Sequence, residues 1–422
     1  MIAPYRLMFL IWFSCLFLWV TLPFQLVGRE VSTYGIIIFL LFLLAFFIGT
    51  ISSKNKSFIS TNSIVFTKKA QRIISLVSFV SLICLLIDFD ISNLNLISVA
   101  QEREVISLSL LTGGLSNSST AFKIAFLTYP SAYVLIALSI IYSKKINYLP
   151  LFILGYLPII LSTVVMGGRN PLFYAIAITF FSIKIRSNYS EELNVYKPKS
   201  NNLSYKQTVI KFIVLSFIVI AISYFINVFI SRAEMIGGTS TMFTLAESNW
   251  GVGFNGYGSK FFFDLFGEKM SFLIFITSWY IVQGLIMSAT IFENFTSSAY
   301  LGSYGIEFVT AVFRRIDSYA IFKNYNKLNE FNIVGFYPSV FGSLFVDFKF
   351  IGIFIIFFWG KWCRSVYNNV KKLKLNSMLL YPFMSTGILL SFINTPFGVA
   401  NGFVIYIWLF VAYYFTKYSR IN

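Results

Sequence analysis

The stretch Leu149–Ile183, LPLFILGYLPIILSTVVMGGRNPLFYAIAITFFSI, decides the fold. It holds two apolar runs parted by one arginine, Arg169. The first run, Leu149 to Met166, is long enough to cross a bilayer as a helix, and the second, from Leu172 into the Ile183 region, is barely so. Backbone N–H and C=O groups in hydrocarbon need internal partners, so both runs read as helices. A guanidinium set at the edge between two spans has a different meaning on each side of a membrane, which makes topology the first question.

Runs of the same kind recur along all 422 residues, of which 57% are apolar and only 12% charged. A soluble domain carries about 25% charged residues. The chain therefore reads as an all-α, polytopic integral membrane helix bundle forming a single domain over 1–422. Pro4 to Leu22 lacks a small-residue cleavage site and is followed by many similar runs, so it reads as an uncleaved first span. Cys15, Cys84 and Cys363 are scattered, giving neither a disulfide framework nor a zinc pattern. Histidine is absent from the sequence. That removes a histidine general base, a Ser-His triad and imidazole metal ligation, and no metal site or cofactor is expected.

Spans are expected near 5–22, 34–50, 73–87, 123–142, 149–166, 171–185, 209–230, 339–360, 376–393 and 401–416. The connecting segments alternate in charge. Arg6, Lys54, Lys56, Lys68, Lys69, Arg72, Lys144, Lys145 and the residues Lys184 to Lys211 fall on one side. The block Lys361 to Lys374, with Lys417 and Arg420, falls there too. The excess of Lys and Arg makes that side cytoplasmic, with both termini inside. The inside then carries 21 basic residues and two acids, net +19, and the outside 12 basic and 14 acidic residues, net −2. The overall +17 is thus a topology signal with attraction to anionic headgroups, not a nucleic-acid footprint. Ser271 to Ile291 is also long enough to span, but crossing alone it would turn the Lys361–Lys374 block outward. It must lie at the interface, re-enter, or be matched by a second crossing near Ala299–Phe313. Ten spans are expected, with twelve as the alternative, and 231–337 forms one large external region.

That external side carries Arg103, Arg169, Arg232, Arg314 and Arg315. Lysine suffices for orientation, and 16 of the 21 inner basic residues are lysine. Arginine's planar fork binds phosphate oxygens bidentately and keeps its charge when partly desolvated. Arginines at outer span ends therefore suggest a site for a phosphate-bearing lipid. The competing role for each is snorkelling to headgroups or pairing with Glu102, Glu104, Glu234 or Asp317. Gly167-Gly168 beside Arg169 and Gly237-Gly238 near Arg232 permit close backbone approach, or are turns. From Gly305 to Phe322, apolar residues Ile306, Val309, Phe313, Ile316 and Ala320 make one helical stripe. This predicts an amphipathic helix on the membrane or capping the bundle.

The long external region is followed by GFYPSVFGSLFVDFKFIGIFIIFFWG (Gly335–Gly360), a basic loop and two final spans. This resembles the O-antigen polymerases of the Wzy type, the oligosaccharide repeat-unit polymerases. The Gly168-Arg169 pair in MGGRNP is similar to that family's Gly-Arg at an outer span edge, and Arg103 to Gly114 fits an Arg-x10-Gly pattern of some members. Lys349 stands where the family usually has a glycine after DF. The resemblance implies a metal-independent glycosyltransferase of the bacterial inner membrane, working on its periplasmic face. A hydroxyl of one repeat unit on undecaprenyl pyrophosphate attacks the anomeric carbon of a growing glycan on the same lipid, building O-antigen or surface polysaccharide. It further implies a chain-length regulator protein and a flippase as partners. Arg103, Arg169, Arg232, Arg314 and Arg315 would hold substrate pyrophosphate. Glu234, Glu247, Asp264, Glu307 and Asp317 are candidates to take the hydroxyl proton, of which Glu234 and Asp317 are carried forward as catalytic. The alternative is a repeat-unit flippase or other lipid-linked sugar transporter. Such a protein calls for short loops on both faces and charges buried mid-span.

Overall fold

A computed structural model describes residues 1–28, 30–52, 68–88, 119–143, 146–165, 170–189, 226, 230, 233–234, 237–306, 308–309 and 337–415. Its helices are α1 (Pro4–Thr21), α2 (Thr33–Ser52), α3 (Lys68–Asp88), α4 (Thr120–Thr128), α5 (Ser131–Tyr142), α6 (Tyr148–Val165), α7 (Asn170–Asn188), α8 (Thr239–Leu245), α9 (Gly256–Asn294), α10 (Ser339–Phe348), α11 (Ile351–Lys371), α12 (Leu375–Leu389) and α13 (Gly402–Tyr414). Two short strands, β1 (Phe24–Leu26) and β2 (Val252–Phe254), pair antiparallel. Six helical segments are long and apolar enough to cross a membrane: α1, α2, Lys69–Ile87 of α3, the α4–α5 pair Thr120–Tyr142, α6 and α9. The expected span at 209–230 lies outside the described residues.

Local chemistry sets the ends and breaks. Pro4 opens α1 in the first turn, where a missing N–H costs nothing. Ser119 Oγ caps α4 by accepting from the Phe122 amide at 2.9 Å, and Asn255 Oδ1 caps α9 through the Gly258 amide at 2.7 Å. Pro130 parts α4 from α5. Within α6 the turn Phe152–Tyr156 widens to π geometry just before Pro158, where proline's missing N–H already opens the helical ladder.

Side-chain contacts show which way neighbouring helices run. Trp12 meets Phe39, and α11 brings Arg364 to Tyr5 at the start of α1 and Gly360 to Phe46 near the end of α2, so α1 and α2 are antiparallel. Ile2 exchanges backbone hydrogen bonds with the Tyr381 hydroxyl while Ser391 reaches Met8, so α1 and α12 are parallel. The Tyr133 hydroxyl donates to the Pro171 carbonyl, and Arg186 donates to the Ile140 and Ser143 carbonyls at the other end, so α5 and α7 are parallel. Gln71, early in α3, meets Ser139, late in α5. Together these gather the starts of α1, α3, α6 and α12 and the ends of α2, α5, α7, α11 and α13 at one end of the bundle. Arg6, Lys69, Arg72, Arg186, Arg364, Lys371, Lys372 and Lys374 all lie toward it. Helix directions and the charge pattern thus agree throughout the described residues.

The parallel pair α2–α11 packs backbone to backbone. A Cβ on Gly360 would strike the Phe46 carbonyl, and one on Gly49 the Phe357 carbonyl. Without a hydrophobic drive between helices in lipid, such close approach is what holds a pair together. Gly49→Leu and Gly360→Leu are each expected to cut the yield of folded protein sharply, because the obstacle is main chain and cannot move aside. Gly256→Ala, with nothing near its Cβ, should leave the yield unchanged; size-exclusion profiles in detergent read all three.

Ser271–Ile291 lies within α9. The helix breaks at Gly267 (φ 74°, ψ 165°), and its second part runs obliquely into the bundle. It passes Phe24 at Trp279 and Cys15 at Ile281, and ends with Phe292 stacked on Phe42, midway along α2. The chain then turns back, and Gly305 reaches Thr395 in the connection between α12 and α13. α9 therefore starts at the end opposite the basic residues, and the chain after it, as far as Ile306, returns toward that end. The expected span 339–360 is two helices, α10 and α11, broken at Lys349, and the start of α11 lies against α10, where a Cβ on Gly352 would meet the Leu344 carbonyl at 3.1 Å.

Candidate functional site

The break at Lys349 is the centre of a polar knot in the half of the bundle away from the basic end. It is built from three connections: the return from α9 (295–306), the α10–α11 junction and the α12–α13 turn. Asp347, 1% exposed, is the acid inside the otherwise apolar 339–360 run. Its carboxylate accepts from the Tyr304 amide at 2.9 Å and the Gly305 amide at 2.8 Å. The Leu301 amide donates to the Asp347 carbonyl at 2.9 Å. Leu301 and Gly302 both have positive φ (53° and 91°), and such a turn points successive N–H groups into one concavity, a nest for an anion. Here the anion is supplied by the protein itself.

Lys349 takes φ 54°, ψ −138°, a conformation nearly reserved for glycine. A glycine would sit there without strain. With lysine in its place, the ammonium donates to the Phe295 carbonyl at 2.7 Å and lies 3.4 Å from the Phe295 ring centroid. Phe295 is the C-terminal cap of α9. A cation there satisfies an orphan carbonyl and opposes the negative end of the helix dipole. Lys349 and Asp347 thus each tie the chain returning from α9 to the helix break, by different groups and without pairing to each other.

The third connection completes the knot. Thr395 Oγ donates to the Gly305 carbonyl at 2.9 Å and accepts from the Gly398 amide at 3.1 Å. Ala400 and Asn401 are both left-handed, and Asn401 Nδ2 donates to the Phe126 carbonyl at 2.8 Å beside the α4–α5 break. At the start of α10, Ser339 is also at positive φ; its Oγ lies 2.7 Å from Ser288 Oγ on α9 and accepts from the Phe341 amide at 3.2 Å. Among described non-glycine residues, all positive φ values except that of Leu373 fall in this region. Each such residue costs on the order of 1–3 kcal/mol and persists where the surroundings over-determine it, most often at functional sites. Ser343, one turn before Asp347 and packed on Gly305, is fully buried with no hydrogen-bond partner for its hydroxyl among the described residues.

Of the residues singled out from sequence, Glu234 is described. It lies on the same side as the knot but at the surface, 3.2 Å from Lys269, with the two side chains 57% and 65% exposed. A pair so exposed contributes at most about 1 kcal/mol. Glu247 and Asp264 flank the same part of the chain, on the π turn after α8 and in the first part of α9. Arg103, Arg169, Arg232, Arg314, Arg315, Glu307 and Asp317 lie outside the described residues, and so does the amphipathic helix expected after Ile306 beyond Val309. Asn170 and Pro171 begin α7 as expected. The sequence reading does not single out Asp347, although an acid in an apolar run is the usual mark of a functional group in a membrane protein. Its carboxylate is engaged by the Tyr304 and Gly305 amides and so ties the chain after α9 to the end of α10. Among the described residues no group of three or more Cys, Asp or Glu side chains stands ready to hold a metal ion. No protein-family model, curated protein or solved structure matches the chain.

Proposed function

We propose that the protein polymerises oligosaccharide repeat units carried on undecaprenyl pyrophosphate, at the periplasmic face of a bacterial inner membrane. The observation that carries this reading is the position of the polar knot. Within the stretch on which the family resemblance rests, the strained break at Lys349 lies in the half of the bundle away from the basic residues and holds the chain returning from α9. With the basic end cytoplasmic, the knot faces the compartment in which lipid-linked repeat units are joined. A transporter moving its cargo through the bundle calls for charged groups along a central path, whereas Asp347 and Lys349 are both engaged in holding one side of the bundle together.

In this reading Arg103, Arg169, Arg232, Arg314 and Arg315 hold the two lipid pyrophosphates. The acceptor hydroxyl attacks the donor's anomeric carbon, the bond to the pyrophosphate oxygen breaks, and the leaving diphosphate takes the electron pair against the arginines. The hydroxyl proton passes to a carboxylate, with Glu234 and Asp317 as candidates. The turn held by Asp347 leads directly into the segment carrying Arg314, Arg315 and Asp317, so Asp347 is a positioning residue for that segment.

Two experiments test the proposal. In a deletion strain, surface glycan should lose its long chains while single repeat units are still exported; loss of all export points to the flippase instead. Single cysteines at Lys260 and Lys372 should react with a membrane-impermeant maleimide only from outside and only from inside, respectively. The reverse pattern puts the knot in the wrong compartment and ends the polymerase reading.

A further inference from the structure

The first part of α9, residues 256–266, precedes the break at Gly267 and divides into three faces. At about 100° per residue, Gly258, Ser259, Phe262 and Phe263 share one side. That side packs on the protein: Phe262 lies 5.3 Å from Phe254, Phe263 lies 5.4 Å from Phe243, and Gly258 abuts Pro23. Tyr257, Phe261 and Leu265, spaced four apart, form a second side left bare among the described residues. They are 94%, 61% and 60% exposed. Lys260 and Asp264 form the third side, also exposed.

A helix in water has no use for a bare aromatic stripe, and a helix inside hydrocarbon has none for two exposed charges. A helix lying along the membrane surface meets protein, hydrocarbon and water on three sides, and this one supplies a face for each. Pro23 fixes where it lies: it follows the last turn of α1, whose Phe13, Phe17 and Val20 are themselves exposed apolar residues. The helix is thereby anchored at the end of α1 away from the basic residues, next to a helix that is itself apolar and exposed. Tyrosine at the stripe's start suits the headgroup level, where an aromatic ring and a hydroxyl are both accommodated.

We infer that residues 256–266 form an in-plane helix seated in the outer leaflet, with Tyr257, Phe261 and Leu265 buried among lipid and Lys260 and Asp264 turned to water. The inference rests on the membrane reading of the chain but not on its enzymatic activity. It gives α9 a floating first part and a fixed second part, joined at Gly267, with the fixed part leading to the knot.

Photo-crosslinking tests it on the full-length protein in nanodiscs of phosphatidylethanolamine and phosphatidylglycerol. Benzoylphenylalanine is placed singly at Phe261, Leu265, Lys260, Asp264 and, as a reference on α1, Phe17. The positions are surface ones, so folding is spared, and lipid adducts are counted by intact mass. Positions 261 and 265 should give adducts at the level of Phe17 and several-fold above 260 and 264. Yields at 261 and 265 no higher than at 260 and 264 would show the stripe in water and overturn the inference. Crosslinks from 261 or 265 to a second copy or another protein would overturn it in favour of a protein partner. Absence of lipid adducts at Phe17 as well would overturn the membrane reading itself, a failure distinct from that of the helix alone.

Discussion

Asp347→Ala should sharply reduce accumulation of folded protein at the growth temperature, while Asp347→Asn should reduce it by about half as much in free-energy terms. The carboxylate accepts from two amides, Tyr304 and Gly305, in a buried place. Hydrogen bonds to a charged group contribute about 1.5–3 kcal/mol each, and a buried donor left unpaired costs about as much again. Removing the charge returns part of this, because burying a carboxylate is itself unfavourable. A net loss on the order of 3 kcal/mol is then expected, against a total stability of about 5–15 kcal/mol. Asparagine keeps one acceptor oxygen, but its NH₂ faces the second amide donor to donor, so it retains about half of the effect. The measurement is the detergent-solubilised monodisperse peak at matched expression, with its thermal midpoint. If Asp347→Ala folds as well as wild type, the turn at 301–305 is held by something else and Asp347 loses its positioning role.

How far the sequence foretold this arrangement depends on the kind of signal each part leaves. Helices α1, α2, α6, α7 and α13 begin and end within a few residues of the expected spans, because uncharged apolar length and flanking lysines are strong and local. The course of α9 is constrained in sequence only through parity: a single crossing would turn Lys361–Lys374 outward, and that argument excludes a path without choosing one. The break at 348–350 was hidden. No proline or glycine marks it, and Lys349 holds a glycine's backbone conformation because its ammonium caps α9 from outside the local sequence. Ala400 and Asn401 show the same effect. Their left-handed turn is set by contacts with Tyr129 and Phe126, more than 270 residues earlier. Strain imposed by distant partners leaves no local trace, and so the knot, unlike the bundle, was not legible.

The arginine between the two apolar runs of Leu149–Ile183 is the last matter of chemistry. Arg169 precedes α7, which begins with Asn170 and has Pro171 in its first turn, where proline is tolerated. The N-terminal end of α7 lies away from the basic end, since Arg186 at its other end caps α5 beside Ser143. An anion at that place gains from the helix dipole and from free amides as well as from arginine. If the arginine holds a lipid pyrophosphate with its fork, a point charge will not replace it. Arg169→Lys should then fall almost as far as Arg169→Ala. More than one charge-assisted bond of about 1.5–3 kcal/mol is at stake, so polymer formation should drop by about ten- to a hundredfold or more in both. A residue that only orients the chain would accept lysine fully, because orientation counts charge and not shape. Glycan chain length is compared for both variants at equal membrane abundance. Normal polymer from the lysine variant would reduce Arg169 to a topology signal and move pyrophosphate binding to Arg232, Arg314 and Arg315. Short chains from both, with the protein folded and abundant, would place the guanidinium's geometry in the chemistry itself.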